Sequence, residues 1–463
     1  MAIKSFELEP TRENLLNTLT KDLLERNESV WQFARFCDAQ DGKCSIAIDA
    51  KWGQGKTFFV RHVQLLLDSF NEFTDSVSKE ERETIKRVFS GHIGRADNAV
   101  ELQPQVCVYY DAWANDNDSD PVLSLVYEIV KRTAQHYPLK KSADCLKTAA
   151  TISDFFTGRN AADIVALAED RDLLSELKTQ REIHDIVAEF LESLLYEQGN
   201  RLIVFIDELD RCKPSYAVHL LERIKHYFAN DRITFVFSIN IDELQHVIKG
   251  YYGEGFDACR YLDRFFDYRI ALPPAKMQRY YQEIGLENGS WIYEAVCKAV
   301  IETFSFGLRE TEKYYRMAKV AAYKPTHDRS FSGFPEGNAM EFSMCIIVPI
   351  IIGLRMADIQ LYNDFIAGKN PQPLIDVMGD RDIAHGICNA LLDRNETFAA
   401  DQNKQTTVTL PDKLRSAYTA LFDDSSRTDW GEAHIGSCTF SQRTKDETLR
   451  TISLLSKYAS YDI

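Results

Sequence analysis

The chain has 463 residues, too long for one small domain and of a length that fits two or three. With 45% hydrophobic and 11% aromatic residues it can bury a large core, which excludes a globally disordered protein. Its net charge of -16 argues against a protein that coats nucleic acid, since neutralising phosphates takes clustered Lys and Arg.

Met1–Glu7 has no apolar segment of the kind a secretory signal requires, so none is expected. Over residues 11–38, Leu15, Leu16, Leu19, Leu23 and Leu24 fall near helical spacing and are followed by Trp31 and Phe33, which predicts one or two amphipathic helices. Asp41-Gly42 marks a turn. Ser45–Asp49 reads as a short apolar strand, and Thr57–Phe70 as a helix. Between them lies Ala50-Lys51-Trp52-Gly53-Gln54-Gly55-Lys56-Thr57. Strand, glycine-rich loop, helix is the setting of the phosphate-binding pattern G-x-x-x-x-G-K-[ST]. Gly55, Lys56 and Thr57 match it, and Ala50 replaces its first glycine, a position that starts the turn and need not touch phosphate. Gly53 and Gly55 let the backbone turn its N–H groups inward as an anion nest, and the helix N-terminus adds partial positive charge. Lys56 can reach the β and γ phosphates, and the Thr57 hydroxyl can ligate Mg2+. The candidate nucleotide-binding residues are Trp52, Gly53, Gln54, Gly55, Lys56, Thr57 and Phe58.

Further along, residues 71–104 and 138–195 read as helical insertions of mixed charge. Val106–Tyr110 is a second strand, running into Asp111-Ala112-Trp113, and Pro121–Tyr137 is a helix. Trp113 fits either core packing or a place under the nucleotide. Arg201–Asp207 is a third strand, continuously apolar as central parallel strands are. It ends in Asp207 and Glu208. Asp207 would hold Mg2+ through water, and Glu208 would polarise the water that attacks the γ-phosphate. Coupled to the loop about 150 residues upstream, this pair predicts hydrolysis and not binding alone. Arg211 either pairs with Asp210 or projects toward the nucleotide or a neighbouring subunit.

A helix over His219–Phe228, a fourth strand over Ile233–Ile239 and a helix over Asp242–Lys249 follow. Asn240 either orients the attacking water as a sensor or caps the helix after it. Arg264 and Arg269, in the segment Tyr261–Ile270, are candidates for an arginine finger in cis or from another subunit, or for simple salt bridges. Apolar strands alternating with helices predict a three-layer α/β core with a mostly parallel sheet over residues 1–275. Pro273-Pro274 is the candidate boundary to a mainly helical domain over 276–463, with polar breaks near 325–337, 368–373 and 423–437. The apolar run Cys345–Leu354 is about half the ~20 residues a membrane span needs and contains Pro349, so it predicts a buried core segment and no span. Ten scattered cysteines without a C-x-x-C pair point to reduced thiols in a cytoplasmic protein.

These residues resemble the KAP family of P-loop NTPases. Trp52-Gly53-Gln54-Gly55-Lys56-Thr57 is similar to that family's W-G-x-G-K-[ST] loop, and Asp207-Glu208-Leu209-Asp210-Arg211-Cys212 to its D-[DE]-L-D-R-C signature. Asp111-Ala112-Trp113 resembles its N-A-W segment, and Tyr261-Leu262-Asp263-Arg264-Phe265-Phe266 its Y-L-[ED]-K-[IF] segment. Asp111, Ala50 and Asn240 depart from the family's usual Asn, Gly and Asp, and none of the three removes a group the chemistry needs. The resemblance covers about residues 10–275. It implies a catalytic-Glu NTPase of the soluble type, and it favours Arg264 as the finger because that residue lies in a family segment. It also implies a bacterial anti-phage defence setting, with a homo-oligomer or other defence-operon proteins as partners. ATP is expected over GTP because no N-K-x-D motif is present. The expected activity is ATP hydrolysis driving a conformational switch. The alternatives are a nucleotide-dependent scaffold with little turnover and a DNA-stimulated ATPase.

Overall fold

The computed structural model describes residues 9–93, 102–118, 120–137, 195, 198–227, 230–286, 292–327, 337–378, 385–398, 406–426, 428 and 431–454. Nearly all of the expected insertion at 138–195, and residues 94–101 of the one at 71–104, lie outside the described residues. The chain forms two compact units, one over Glu9–Met277 and one built on Gln278–Ile463.

In the first unit five strands form one sheet: β1 (Cys44–Asp49), β2 (Gln105–Asp111), β3 (Arg201–Asp207), β4 (Ile233–Ile239) and β5 (Tyr268–Ala271). Their spatial order is β2-β3-β4-β1-β5 and every pairing is parallel. β3 and β4 are buried at every position, which is why their sequences are unbroken apolar runs. Side chains two apart share a face. Val106, Val108 and Tyr110 of β2 and Leu202, Val204 and Ile206 of β3 thus form one core, together with the helices Pro121–His136, Pro214–Tyr227 and Ile241–Tyr252. The intervening Cys107, Ile203, Phe205 and Val236 are equally buried, on the side of the helix Lys56–Phe70, which packs on β2 and β4. The result is a three-layer α/β core, as the alternation of elements predicts.

Local signals explain several helix starts. The Asp120 side chain accepts from the amides of Val122 and Leu123, with Pro121 in the first turn where its missing N–H costs nothing. The helix Pro214–Tyr227 begins five residues before the expected His219, for the same reason at Pro214. β5 is absent from the sequence reading. It is short, mostly exposed and paired with β1 alone, so burial imposes no apolar pattern on it.

The second unit is mainly helical, as expected. It also holds an antiparallel hairpin, Glu432–Ile435 with Cys438–Ser441, where a polar break is expected. The apolar run Cys345–Leu354 is part of a longer helix than its composition suggests. Asn338–Ala357 is continuous over 20 residues through a π-helical stretch at Ser343–Ile347. By length and composition that helix could cross a membrane, but 83% of its apolar window is buried within the protein, the pattern of a core helix. The nine described cysteines are free thiols, and all but Cys259 are buried.

Candidate functional site

The five parallel strands end together at one edge of the sheet, and the loops at that edge carry most of the candidate residues. After β1 the chain turns through Gly53 (φ 80°) and Gly55 (φ 82°), two left-handed positions that glycine adopts without a Cβ penalty. Gly55 is the N-cap of the helix that starts at Lys56, so the first amides of that helix face the loop. Lys56 is buried, and its Nζ donates to the carbonyls of Ala50 (2.6 Å) and Lys51 (3.3 Å). Burial lowers its pKa, and the carboxylates of Asp210, Asp207 and Glu208 pull in the opposite direction. Phe58 has its side chain in the core, edge-on to the His62 ring, so its backbone is the part available to a phosphate. Gln54 contributes its carbonyl to the loop's own support. That carbonyl accepts from Arg26 Nη1 at 3.0 Å. Arg26 is buried, its pKa lowered to about 10 by desolvation, and it props the loop from the residue before the helix Asn27–Asp38.

Asp207 ends β3 in register with Asp111 of β2 and Ser238 of β4. Thr57 Oγ1 donates to its Oδ2 at 2.7 Å, and the Glu208 amide donates to its Oδ1 at 3.0 Å. The loop threonine and the acidic strand end, 150 residues apart in the chain, are therefore in direct contact. A third donor was not anticipated. Tyr109 of β2 places its hydroxyl 2.9 Å from the same Oδ2, and the Arg61 guanidinium lies 4.4 Å over the centre of its ring. Burial and the Asp207 charge push the Tyr109 phenol well above its ordinary range, so it remains a donor. Tyr109→Phe removes one hydrogen bond to a charged acceptor and is expected to cost about 1.5 kcal/mol of unfolding free energy. Denaturant titration checks this, and a Tyr109→Phe protein as stable as the wild type would contradict it.

Glu208 follows in a left-handed conformation (φ 60°, ψ 23°), uncommon for a non-glycine residue. Burial first, then the adjacent Asp207 charge, push its carboxyl up to about 7. Its Oε2 lies 2.5 Å from Arg211 Nε, yet the N–H is not aligned on the oxygen, so the contact is an ion pair and not a hydrogen bond. Asp210, also buried and raised in pKa by desolvation, accepts from Trp52 Nε1 at 2.7 Å. Arg211 thus pairs with Glu208 and not with Asp210.

The remaining candidates fall in different places. Trp113 does not belong to the core. It is 53% exposed beside the site, its ring 5.6 Å from the Arg211 guanidinium, because it stands in the turn just past the end of β2. Asn240 is buried past the end of β4 and makes no side-chain cap bond to the helix Ile241–Tyr252. Asp49 supplies that cap from the end of β1, its Oδ1 accepting from the Ile241 amide at 2.9 Å. Arg269 forms an ion pair with Asp263 at 2.7 Å. Arg264 lies at the other end of the strands, in a cleft it lines with Lys43, Ser45, Lys225 and Asp267. Ser45 is the second residue of β1 and Asp267 precedes β5, so the length of the sheet separates Arg264 from the phosphate loop. A finger in cis is thereby corrected, since the residue approaches the loop of its own chain from no direction.

Among the described residues no group of three or more His, Cys, Asp and Glu is arranged to hold a metal by itself. The oxygen pair of Thr57 and Asp207 suits a hard cation that completes its shell with phosphate and water. The description "KAP family P-loop domain" matches residues 28–288, more than half of the chain. The chain belongs to the KAP family. The matched span contains the whole sheet, the phosphate loop and the acidic end of β3. Three of the KAP-like segments, at Trp52, Trp113 and Asp207–Cys212, converge at the strand ends, while the fourth, containing Arg264, does not.

Two solved structures of an Aeropyrum pernix ORC2 protein are similar to this chain at a low level. The structure described as its ADPNP-ADP complexes shares 12% identity over 96% of this chain and 94% of that one, with a TM-score of 0.31. The ADP form shares 11% over 94% and 95%, with a TM-score of 0.32. No curated protein matches the chain.

Proposed function

We propose that this KAP-family chain hydrolyses ATP with Mg2+ at the loop after β1. The observation that carries the reading is the contact between Thr57 Oγ1 and Asp207 Oδ2 at 2.7 Å, with Glu208 one residue on. It joins the threonine of a phosphate loop to a carboxylate and sets a half-buried second carboxylate beside them. Lys56 neutralises β- and γ-phosphate charge, and the amides of Gly53–Phe58 cradle the phosphates. Mg2+ on Thr57 and Asp207 would supply charge neutralisation at the phosphate oxygens. The attacking water gives its proton to Glu208 as its oxygen bonds to the γ-phosphorus. The bond from that phosphorus to the β–γ bridging oxygen breaks, leaving ADP and phosphate.

Two cations, Lys56 and Arg211, face three carboxylates, Asp207, Glu208 and Asp210. A bare triphosphate would meet net repulsion there, whereas a divalent ion reverses the local sign. Phosphate release is therefore expected to fall to background when a chelator exceeds the divalent ion, and to return on adding Mg2+. Turnover that persists in excess chelator, or nucleotide-bound protein that releases no phosphate, would sink this reading.

Hydrolysis would work as a conformational switch, because contacts to the γ-phosphate exist only before cleavage. A cytoplasmic location is supported by the cysteine pattern alone, and the anti-phage defence setting by the motif resemblance alone. Phage plating efficiency on cells carrying the wild type or Glu208→Gln tests it, and equal plating would count against it.

A further inference from the structure

Arg211 ends the 3-10 turn Leu209–Arg211, three residues after Glu208. Its Nε lies 2.5 Å from Oε2 of Glu208, in the ion pair described above. The closest approach of the guanidinium is therefore to one of the two carboxylate oxygens. The guanidinium itself is held by two rings, Trp52 at 5.3 Å and Trp113 at 5.6 Å from their centres. Those tryptophans come from different loops, after β1 and after β2, and Trp52 is tied to the same turn through its bond to Asp210. Both rings are 45% or more exposed, so core packing does not account for their place. A planar guanidinium can offer its faces to aromatic rings while it pairs with a carboxylate, so the rings restrict its plane and the ion pair its distance.

We propose that Arg211 is a positioning residue for Glu208. Held by Trp52 and Trp113, it anchors one oxygen of Glu208 so that the other is presented to the attacking water, much as a catalytic base elsewhere is oriented by a third group. The inference rests on Glu208 being the general base. Since Trp52 belongs to the phosphate loop, the anchor is set by the loop that would hold the nucleotide, which ties the base to occupancy of the loop.

Single-turnover ATP hydrolysis by the full chain, with kcat and KM from steady state, tests this through a double-mutant cycle. Arg211→Ala is expected to lower the rate by about 10–100-fold, the scale of a small misplacement, with KM within about threefold of the wild type. In a Glu208→Gln background the same substitution should cost nothing further, because its effect passes through Glu208. Arg211→Lys keeps the charge but loses the planar faces, and should remain at least about threefold below the wild type. Trp113→Ala should lower kcat about fivefold and Trp113→Phe should restore it, since a ring face is what the contact needs. Wild-type kcat in Arg211→Ala overturns the proposal, as do losses that multiply in the double variant, which would mean that Arg211 acts on the phosphate directly. If Arg211→Ala does not fold, Trp113→Ala carries the same cycle, because its ring is half exposed and leaves the core intact. A Glu208→Gln protein as fast as the wild type is a separate result and removes the base assignment itself.

Discussion

Glu208→Gln is expected to reduce ATP turnover by about 10²–10⁴-fold, the range a positioned general base contributes. An amide of the same shape cannot take the proton of the attacking water. Nucleotide should still bind, because Lys56, Thr57 and the loop amides are untouched. Stability should not fall. Burial and the Asp207 charge push the Glu208 carboxyl up to about 7 from an ordinary 4.5, so the fold favours its protonated form. That contribution is fully present below about 4.5 and is lost as pH rises through about 7. Above that pH the neutral amide replaces a charge the site disfavours, and Tm should equal or exceed that of the wild type. Phosphate release and equilibrium binding of a fluorescent ATP analogue, measured on the same preparation, check both halves. Equal turnover in the two proteins would take Glu208 out of the mechanism, whereas lost binding would mean that the residue holds nucleotide.

Lys56→Ala is expected to abolish turnover and to weaken nucleotide binding by at least about 10²-fold, as truncating one partner of a desolvated charge pair does. Lys56 is 8% exposed and is the first residue of the loop helix. Its removal leaves the carboxylates of Asp207, Glu208 and Asp210 facing the triphosphate with Arg211 alone, and Arg211 is already paired. Lys56→Met, which keeps most of the aliphatic stem, should bind no better if charge is the cause. Wild-type affinity in Lys56→Ala would place the nucleotide elsewhere in the protein.

Much of the core was legible from local pattern. β1 to β4 begin and end within a residue or so of expectation because burial on both faces makes a parallel strand an unbroken apolar run. The phosphate loop was equally legible, since its chemistry is carried by residues adjacent in the chain. The failures share a cause. β5 has no buried face, and the helix at Pro214 starts five residues before its apolar pattern does, so in neither place does burial mark the boundary in the sequence. Arg264 drew attention through a motif, yet the parallel direction of β1 and β5 sends it to the end of the sheet opposite the loop.

What the amino-acid order determined by itself is the kind of chemistry. A glycine-rich turn with Lys56 and Thr57, and an apolar strand ending in two carboxylates, specify phosphate and metal-ion binding wherever they are placed. Which groups surround those residues was decided by the sheet order and register. Asp207 draws hydrogen bonds from Thr57, 150 residues away, and from Tyr109, 98 away. Asp49 caps a helix 192 residues on, and Arg26 props the Gln54 carbonyl from just before the helix Asn27–Asp38. Contacts of this range leave no periodicity in the sequence, because only the parallel pairing of β2, β3, β4 and β1 brings their ends together.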